Sequence, residues 1–370
     1  MDDDLLTFVV FSKTNAFRRQ FTADGTADLN LNGISTAEFT LDDADELLQF
    51  VTGDSGRGAR CAVWFRGAER MRGAITSTPG SGPIGDVTVR IDSDMRKMWQ
   101  WQGWPVPTAD LAHQTTDYRT ITGPSETIFK TALAENVARL GVPWTVVPTH
   151  GWGTSTVVAL RFHPLGDKVI PPLLSDQLVI VLTYDDDGHP VVDVRQPRTV
   201  PGTLTIDSGV PDRFSFDVVA PTATRVIVGG RGEGADRQFL EVADAAREAD
   251  WGEIIEAFAD ARNVEVGADL TPYAADALTA GAASVSVTTE LVETDGFLFG
   301  STFDLGDLVR VSLGPVNSTE QIQQVAITSN ASDGTKVTPK IGGIDPGDVD
   351  AQLTAQINRL AQGARDQSRR

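Results

Sequence analysis

The sequence predicts an α+β protein that is mainly β, with two small β-barrel-like modules bracketing a mixed α/β middle. Three observations carry this. Residues 27–91 run through short alternating segments broken by Gly-rich and Asp-rich turns. Residues 285–343 repeat that kind of pattern, including Phe303-Asp304-Leu305-Gly306-Asp307-Leu308-Val309-Arg310-Val311, a strand entered from a Gly-Asp turn. Between them lie a well-delimited helix and a hairpin signal. With 370 residues and 41% hydrophobic content, the chain is long enough for two to four domains with real cores. The expected division is 1–95, 96–205, 206–284, 285–345 and a tail, 346–370.

In the first module the expected strands are Asp28 to Leu31, Ala37 to Leu41, Cys61 to Phe65, Met71 to Thr76 and Asp86 to Ile91. Cys61, the single cysteine, excludes an internal disulfide and reads as a small core residue within an alternating strand. The chain then reaches Trp99, Trp101 and Trp104. In extended backbone Trp99 and Trp101 share one face, which suits either a stacking platform for a sugar ring or the seal of a joint between modules or subunits.

Residues 125–140 form the clearest helix. Pro124 and Ser125 open it, Ile128, Ala132, Leu133, Val137 and Leu140 recur at helical spacing, and Gly141 stops it. A hairpin over 178–194 follows, Leu178 to Tyr184 and Val191 to Val194 flanking Asp185-Asp186-Asp187-Gly188. A calcium loop fails here. With Gly188 in the sixth place, Thr183 and Val194 fall where a calcium loop needs carboxylates.

Strands resume at Gly202 to Ile206, Phe214 to Val219 and Thr224 to Val228, with a bend at Pro221. Arg225 to Ala235 looks like a strand followed by Gly-x-Gly-x-x-Ala, the dinucleotide-binding pattern. Its own Glu233 and Asp236 would oppose a phosphate, and no alternating parallel units surround it. Gly230, Gly232 and Gly234 therefore read as a tight-turn loop at a crowded place. Helical patterns are expected at Ile254, Ile255, Phe258 and Ala259, with Glu253, Glu256 and Asp260 on the solvated side, and over Thr271 to Ala280. Val285 and Val287 begin the last strand run. The tail places Val349, Leu353, Ile357 and Leu360 on a narrow stripe and ends in Arg365, Arg369 and Arg370, which suits a coiled-coil seam, a neighbour or the chain's own surface.

The formal net charge is -20, roughly half of it between Asn263 and Asp350. Such a surface repels phosphate backbones, so sustained nucleic-acid binding is disfavoured. The acidity serves solubility, or lines a channel through which DNA passes without sticking. No membrane-spanning run of apolar residues is present, and Met1-Asp2-Asp3-Asp4 has the wrong charge for a signal peptide, so a soluble chain is expected. His113, His150, His163 and His189 are scattered in sequence, with no His-Glu-x-x-His helix, no Gly-x-Ser-x-Gly elbow and no Gly-Lys-Ser/Thr loop. No catalytic, cofactor-binding or metal-ligating residue is assigned.

The order of these segments resembles the baseplate hub, or tail-associated minor tail, proteins of long-tailed bacteriophages, especially those infecting actinobacteria. The residues that carry the resemblance are the N-terminal strand set, Phe214-Ser215-Phe216 with Ala220 to Gly230, the Trp251-Gly252 to Arg262 segment, and Gly306-Asp307-Leu308-Val309. The abundance of Arg over Lys fits a high-GC genome. The resemblance implies a non-catalytic virion protein of the tail tip, assembled in the host cytoplasm. It implies a homotrimeric ring built from modules 1–95 and 285–345, meeting a distal tail protein above and tip or fibre proteins below. The tape-measure protein and the DNA channel would occupy the lumen. Many such proteins carry a receptor-binding or peptidoglycan-cleaving extension, for which this chain has no expected room. A glycan-binding tail module using Trp99, Trp101 and Trp104 is the alternative, as is the hub of a related injection device or gene transfer particle.

Overall fold

In the computed structural model, residues 5–42, 45–78, 87–262, 264–313, 316–330, 332 and 334–342 are described. The tail 346–370, with its apolar stripe, lies outside them.

The two β-rich ends of the chain build one sheet. Its order runs Pro211–Val219, Ser284–Leu291, Gly334–Ile341, Val316–Asn330, Gly25–Asn30, Thr36–Leu41, Val87–Ser93, Ala68–Ser77, Arg60–Phe65, Thr7–Phe11 and Phe17–Thr22. Leu308–Leu313 pairs with Val316–Asn330 and, in parallel, with Thr199–Thr205, bringing the count to 13 strands. The join between the ends is antiparallel, with Gln324 opposite Asn30 and Ser329 opposite Gly25. No pairing links the first and last strands of the path, so the described strands close no barrel, and the expected modules are halves of a continuous sheet. They share one core. Phe8, Phe39, Phe65, Val89 and Ile91 from the first half pack in the same cluster as Phe299, Phe303, Val309, Ile322 and Val325 from the second. Each fully buried side chain of this size contributes about 1.5–3 kcal/mol, so each half draws stability from the other. The alternation read in the sequence decides the facing: Val309, Val311 and Leu313 are buried and Arg310 is exposed. Cys61 is fully buried, and burial pushes its thiol pKa up, in keeping with an inert core residue.

The middle residues form a second unit. The helix Ser125–Leu140 ends at Gly141 with φ 62°, a left-handed cap that glycine adopts at little cost. It packs Ile128, Phe129, Ala132 and Leu133 against Val169, Ile170 and Leu173 of a second helix, Leu165–Ser175. The strand pair Arg119–Pro124 and Ser155–Leu160 and the hairpin Val179–Tyr184/Pro190–Arg195 complete it. In the hairpin turn the Asp185 carboxylate accepts the Asp187 and His189 backbone N–H groups at 3.0 and 2.8 Å.

A third unit contains Arg225–Gly229, antiparallel to Phe239–Ala243 and parallel to Glu256–Asp260. The helix Thr271–Ala280 covers its inner face through Leu270 and Ala274 against Val226 and Val228. Here one expectation fails. Residues 254–259 are not helical; the helix is Ala245–Trp251, and Glu256–Asp260 is a strand in which Phe258 is exposed between the half-buried Ala257 and Ala259. The parallel partner Arg225–Gly229, some thirty residues away, supplies the ladder that decides it.

Candidate assembly surface

The hairpin of the middle unit is clamped onto the shared sheet at both halves. Asn32 donates to Leu178 O at 2.7 Å and accepts from Ile180 N at 2.7 Å. Tyr184 Oη bonds Arg72 O at 2.9 Å and Asp94 at 3.0 Å, and Asp94 is also paired with Arg60. On the C-terminal half, buried Asp307 receives Arg195 at 3.0 Å and Arg198 at 2.7 Å. Gly306, at φ 82°, allows this approach: a Cβ there would lie 2.6 Å from Val179 Cγ2. The Gly306-Asp307 turn that stands out in the sequence is thus the seat of an inter-unit clamp. Arg66 and Glu293 tie the two halves at 2.7 Å.

One edge of the large sheet lies open. Phe17–Thr22 ends the path, pairs among the described strands only with Thr7–Phe11, and is exposed along nearly its whole length. Unpaired N–H and C=O groups along such an edge are a template for another chain. Beside it, Leu5, Phe11, Phe17, Trp64 and Phe65 line a shallow depression of about 340 Å³. Phe17 is 61% exposed and meets Phe11 edge-on at 6.5 Å. Arg72, paired with Glu69 at 2.7 Å, lies over the Phe11 ring at 4.8 Å, and Arg66 lies over Phe65 at 4.8 Å. An aromatic floor, rimmed by neutralised arginines next to a free edge, has the make-up of a protein contact. Sequence reading passed over Thr7–Phe11 and Phe17–Thr22; the available signal was the alternation of Phe17 and Phe21 with Arg18 and Gln20.

The residues singled out in the sequence lie elsewhere. Trp99, Trp101 and Trp104 do not share a face. Lys97–Gln100 is helical, so Trp99 sits on a helix and Trp101 in the extended backbone after it. Trp99 rests on Gly166, Trp101 meets Trp144 edge-on at 4.8 Å, and Trp104 packs against Phe162 at 5.7 Å under the Arg139 guanidinium. All three are half-buried within the middle unit. Gly230, Gly232 and Gly234 form the turn between Arg225–Gly229 and Phe239–Ala243; Gly232 and Gly234 have φ of 127° and 56°. The chain returns as an antiparallel strand, not a helix, so no helix N-terminus faces the loop as in a dinucleotide fold. Arg237 fills the space, donating to Gly229 O, Gly230 O and Asp260.

One cluster with metal-ligand chemistry forms among the described residues: Glu126, His150 and Asp193. It already contains a cation, because Lys130 Nζ lies 2.7 Å from Glu126 and 2.6 Å from Asp193. Burial alone would raise the Glu126 pKa. The Lys130 ammonium, the His150 and Trp152 backbone N–H groups and the His150 ring outweigh it and hold the carboxyl down to about 2. The cluster is an ion-pair staple of the first turn of the helix Ser125–Leu140.

The Siphovirus ReqiPepy6 Gp37-like protein model matches residues 15–343, nearly the whole described chain. The chain belongs to this siphovirus family. No curated protein matches its sequence. Among solved structures, it is similar to prophage tail protein gp18 of Listeria monocytogenes EGD-e, with 12% identity, a TM-score of 0.54, and coverage of 96% of this chain and 99% of that one. The 43 kDa tail protein of prophage MuSo2 from Shewanella oneidensis has 10% identity and a TM-score of 0.54, covering 90% and 98%. The tail protein of Neisseria meningitidis MC58 has 13% identity and a TM-score of 0.52, covering 91% and 96%. At these identities the likeness is one of fold, and it spans all three units of this family member.

Proposed function

We propose that this protein is a structural baseplate hub of a phage tail tip, carried in the virion and assembled in the host cytoplasm. Three copies form a ring that joins the tail tube, through a distal tail protein, to the tip or fibre proteins. The end of the tape-measure protein and the DNA path lie in its lumen. The observation that carries this reading is the merging of the chain's two β-rich ends into one clamped sheet with an open, aromatic-lined edge at Phe17–Thr22. A ring subunit needs such a rigid body with a free edge for its neighbour, and three copies meeting head-to-tail close about a three-fold axis. The family match and the shared fold of tail proteins point the same way. In this reading the chain is not an enzyme, and its charge of -20 keeps passing DNA from adhering to the lumen.

The test is to produce the protein together with its distal tail partner and measure mass by light scattering, with negative-stain class averages of the same peak. A three-fold ring with a central hole is expected. A compact monomer persisting beside that partner overturns the proposal.

A further inference from the structure

Asn32-Gly33 is the one Asn-Gly pair in the chain, and it sits at the joint between the shared sheet and the middle unit. This pair of residue types carries its own chemistry. Glycine has no side chain to shield its backbone nitrogen, so in an unrestrained chain that nitrogen reaches Cγ of the preceding asparagine. Base removes the Gly33 N–H proton and the nitrogen attacks Asn32 Cγ. A five-membered imide closes as the side-chain amide nitrogen leaves as ammonia. One water then adds: cleaving the new bond between Gly33 N and Cγ gives aspartate, and cleaving the original peptide bond gives isoaspartate. The net change is water in and ammonia out, with no oxidation.

The fold holds both reacting groups. Gly33 N–H donates to Asn30 O at 3.3 Å. The Asn32 side-chain amide donates to Leu178 O and accepts from Ile180 N, both at 2.7 Å, and the residue is 5% exposed. Its φ of 50° is a left-handed conformation that asparagine tolerates better than most residues. Both side-chain bonds end at the start of the hairpin Val179–Tyr184/Pro190–Arg195. That hairpin is held in turn by Tyr184 Oη, on Arg72 O and Asp94. At its tip Asn15 Nδ2 donates to Asp187 O at 3.0 Å and Gly188 O at 3.2 Å. The Asn32 amide is therefore released to react only when the hairpin lifts.

We propose that Asn32 is a deamidation site gated by this hairpin, and that the reaction makes release of the hairpin one-way. An aspartate carboxylate has no proton to donate to Leu178 O, and the two oxygens would face each other without a donor in a buried place. Isoaspartate inserts an extra backbone carbon at the same joint. A chain whose hairpin stays docked keeps its amide, whereas one whose hairpin has lifted acquires a carboxylate and loses the seat. This concerns one chain and stands apart from the hub reading.

The test follows conversion at each asparagine by peptide mapping of the full chain in mildly alkaline buffer, native and in concentrated urea. Asn32 should convert first in urea and about a hundredfold more slowly in the native chain, each of its two buried bonds to the hairpin being worth about a factor of ten. Tyr184→Phe and Asn15→Gly loosen the hairpin without touching the reacting pair, and the second keeps the left-handed backbone found at Asn15. At least one of them should raise the native rate about threefold or more and leave the urea rate unchanged. In the Asn32→Asp chain, backbone amides of residues 178–195 should exchange hydrogen about tenfold faster than in the parent. No conversion at Asn32 in urea, or a native rate within about threefold of the urea rate, would overturn the proposal. So would equal native rates in the parent and both variants, or unchanged exchange in Asn32→Asp.

Discussion

Glu126 sits at 0% exposure with donors on every side, and its folded pKa of about 2 makes it a stability element with a defined pH window. A carboxyl whose folded pKa is depressed stabilises the protein above its unfolded value, and that contribution is lost as pH falls toward the folded one. Glu126→Gln should cost about 3 kcal/mol at neutral pH, because Lys130 loses a buried partner. Urea melts of the two proteins should converge as pH drops from about 4.5 to about 2; a gap that stays constant would show that charge is not the cause. Two glycines separate strain from crowding at the same scale. At Gly141, with φ 62° and no atom within 4 Å of an added Cβ, Ala should cost about 1 kcal/mol, the left-handed penalty alone. At Gly306, with φ 82° and Val179 and Leu31 within 3 Å, Ala should cost about 2–4 kcal/mol, because overpacking adds to strain. Equal costs in thermal melts would refute this account of the clamp.

The element with most bearing on assembly is the edge strand Phe17–Thr22. Phe17 is largely solvent-exposed, so Phe17→Asp should change the stability of the isolated chain by no more than about 0.5 kcal/mol. The same change puts a carboxylate on the aromatic floor next to the free edge, and the light-scattering mass should fall from trimer to monomer. A trimer that survives Phe17→Asp would move the subunit contact to another surface. Elements also differ in how plainly they were written. Ser125–Leu140 and Thr271–Ala280 were legible because Pro, Gly and helical spacing agree at both. Leu165–Ser175 was not, since Pro171 and Pro172 read as breakers. It is helical because Val169, Ile170 and Leu173 gain a buried seat against Ser125–Leu140.

Across the whole molecule, the shared core makes the two halves of the large sheet one cooperative body. Gly25–Asn30 has Val316–Asn330 on one side and Thr36–Leu41 on the other, and Phe65 stacks with Phe299 at 6.4 Å. Residues 1–95 expressed alone would present an unpaired apolar edge and half a core, and should lack the dispersed amide spectrum of a folded domain. A folded 1–95 fragment would instead establish an autonomous first module. The middle unit is fixed to this body through Asn32, Tyr184 and Asp307, buried or half-buried polar contacts that fail together if the hairpin Val179–Tyr184/Pro190–Arg195 moves.

By itself the sequence determined the mainly β class, most strands of the C-terminal half apart from Phe239–Ala243 and Glu256–Asp260, the helices Ser125–Leu140 and Thr271–Ala280, the hairpin and the burial of Cys61. Each of these rests on local chemistry: alternation, a proline or glycine at a boundary, an Asp-Gly turn. Tertiary structure alone decided that the two β-rich ends form one open sheet, that Glu256–Asp260 is a strand, that Trp99, Trp101 and Trp104 separate, and that Lys130 joins Glu126 to Asp193. Those outcomes depend on partners distant in the chain, and strand pairing and ion pairing at such range leave no periodic mark on the segments they join.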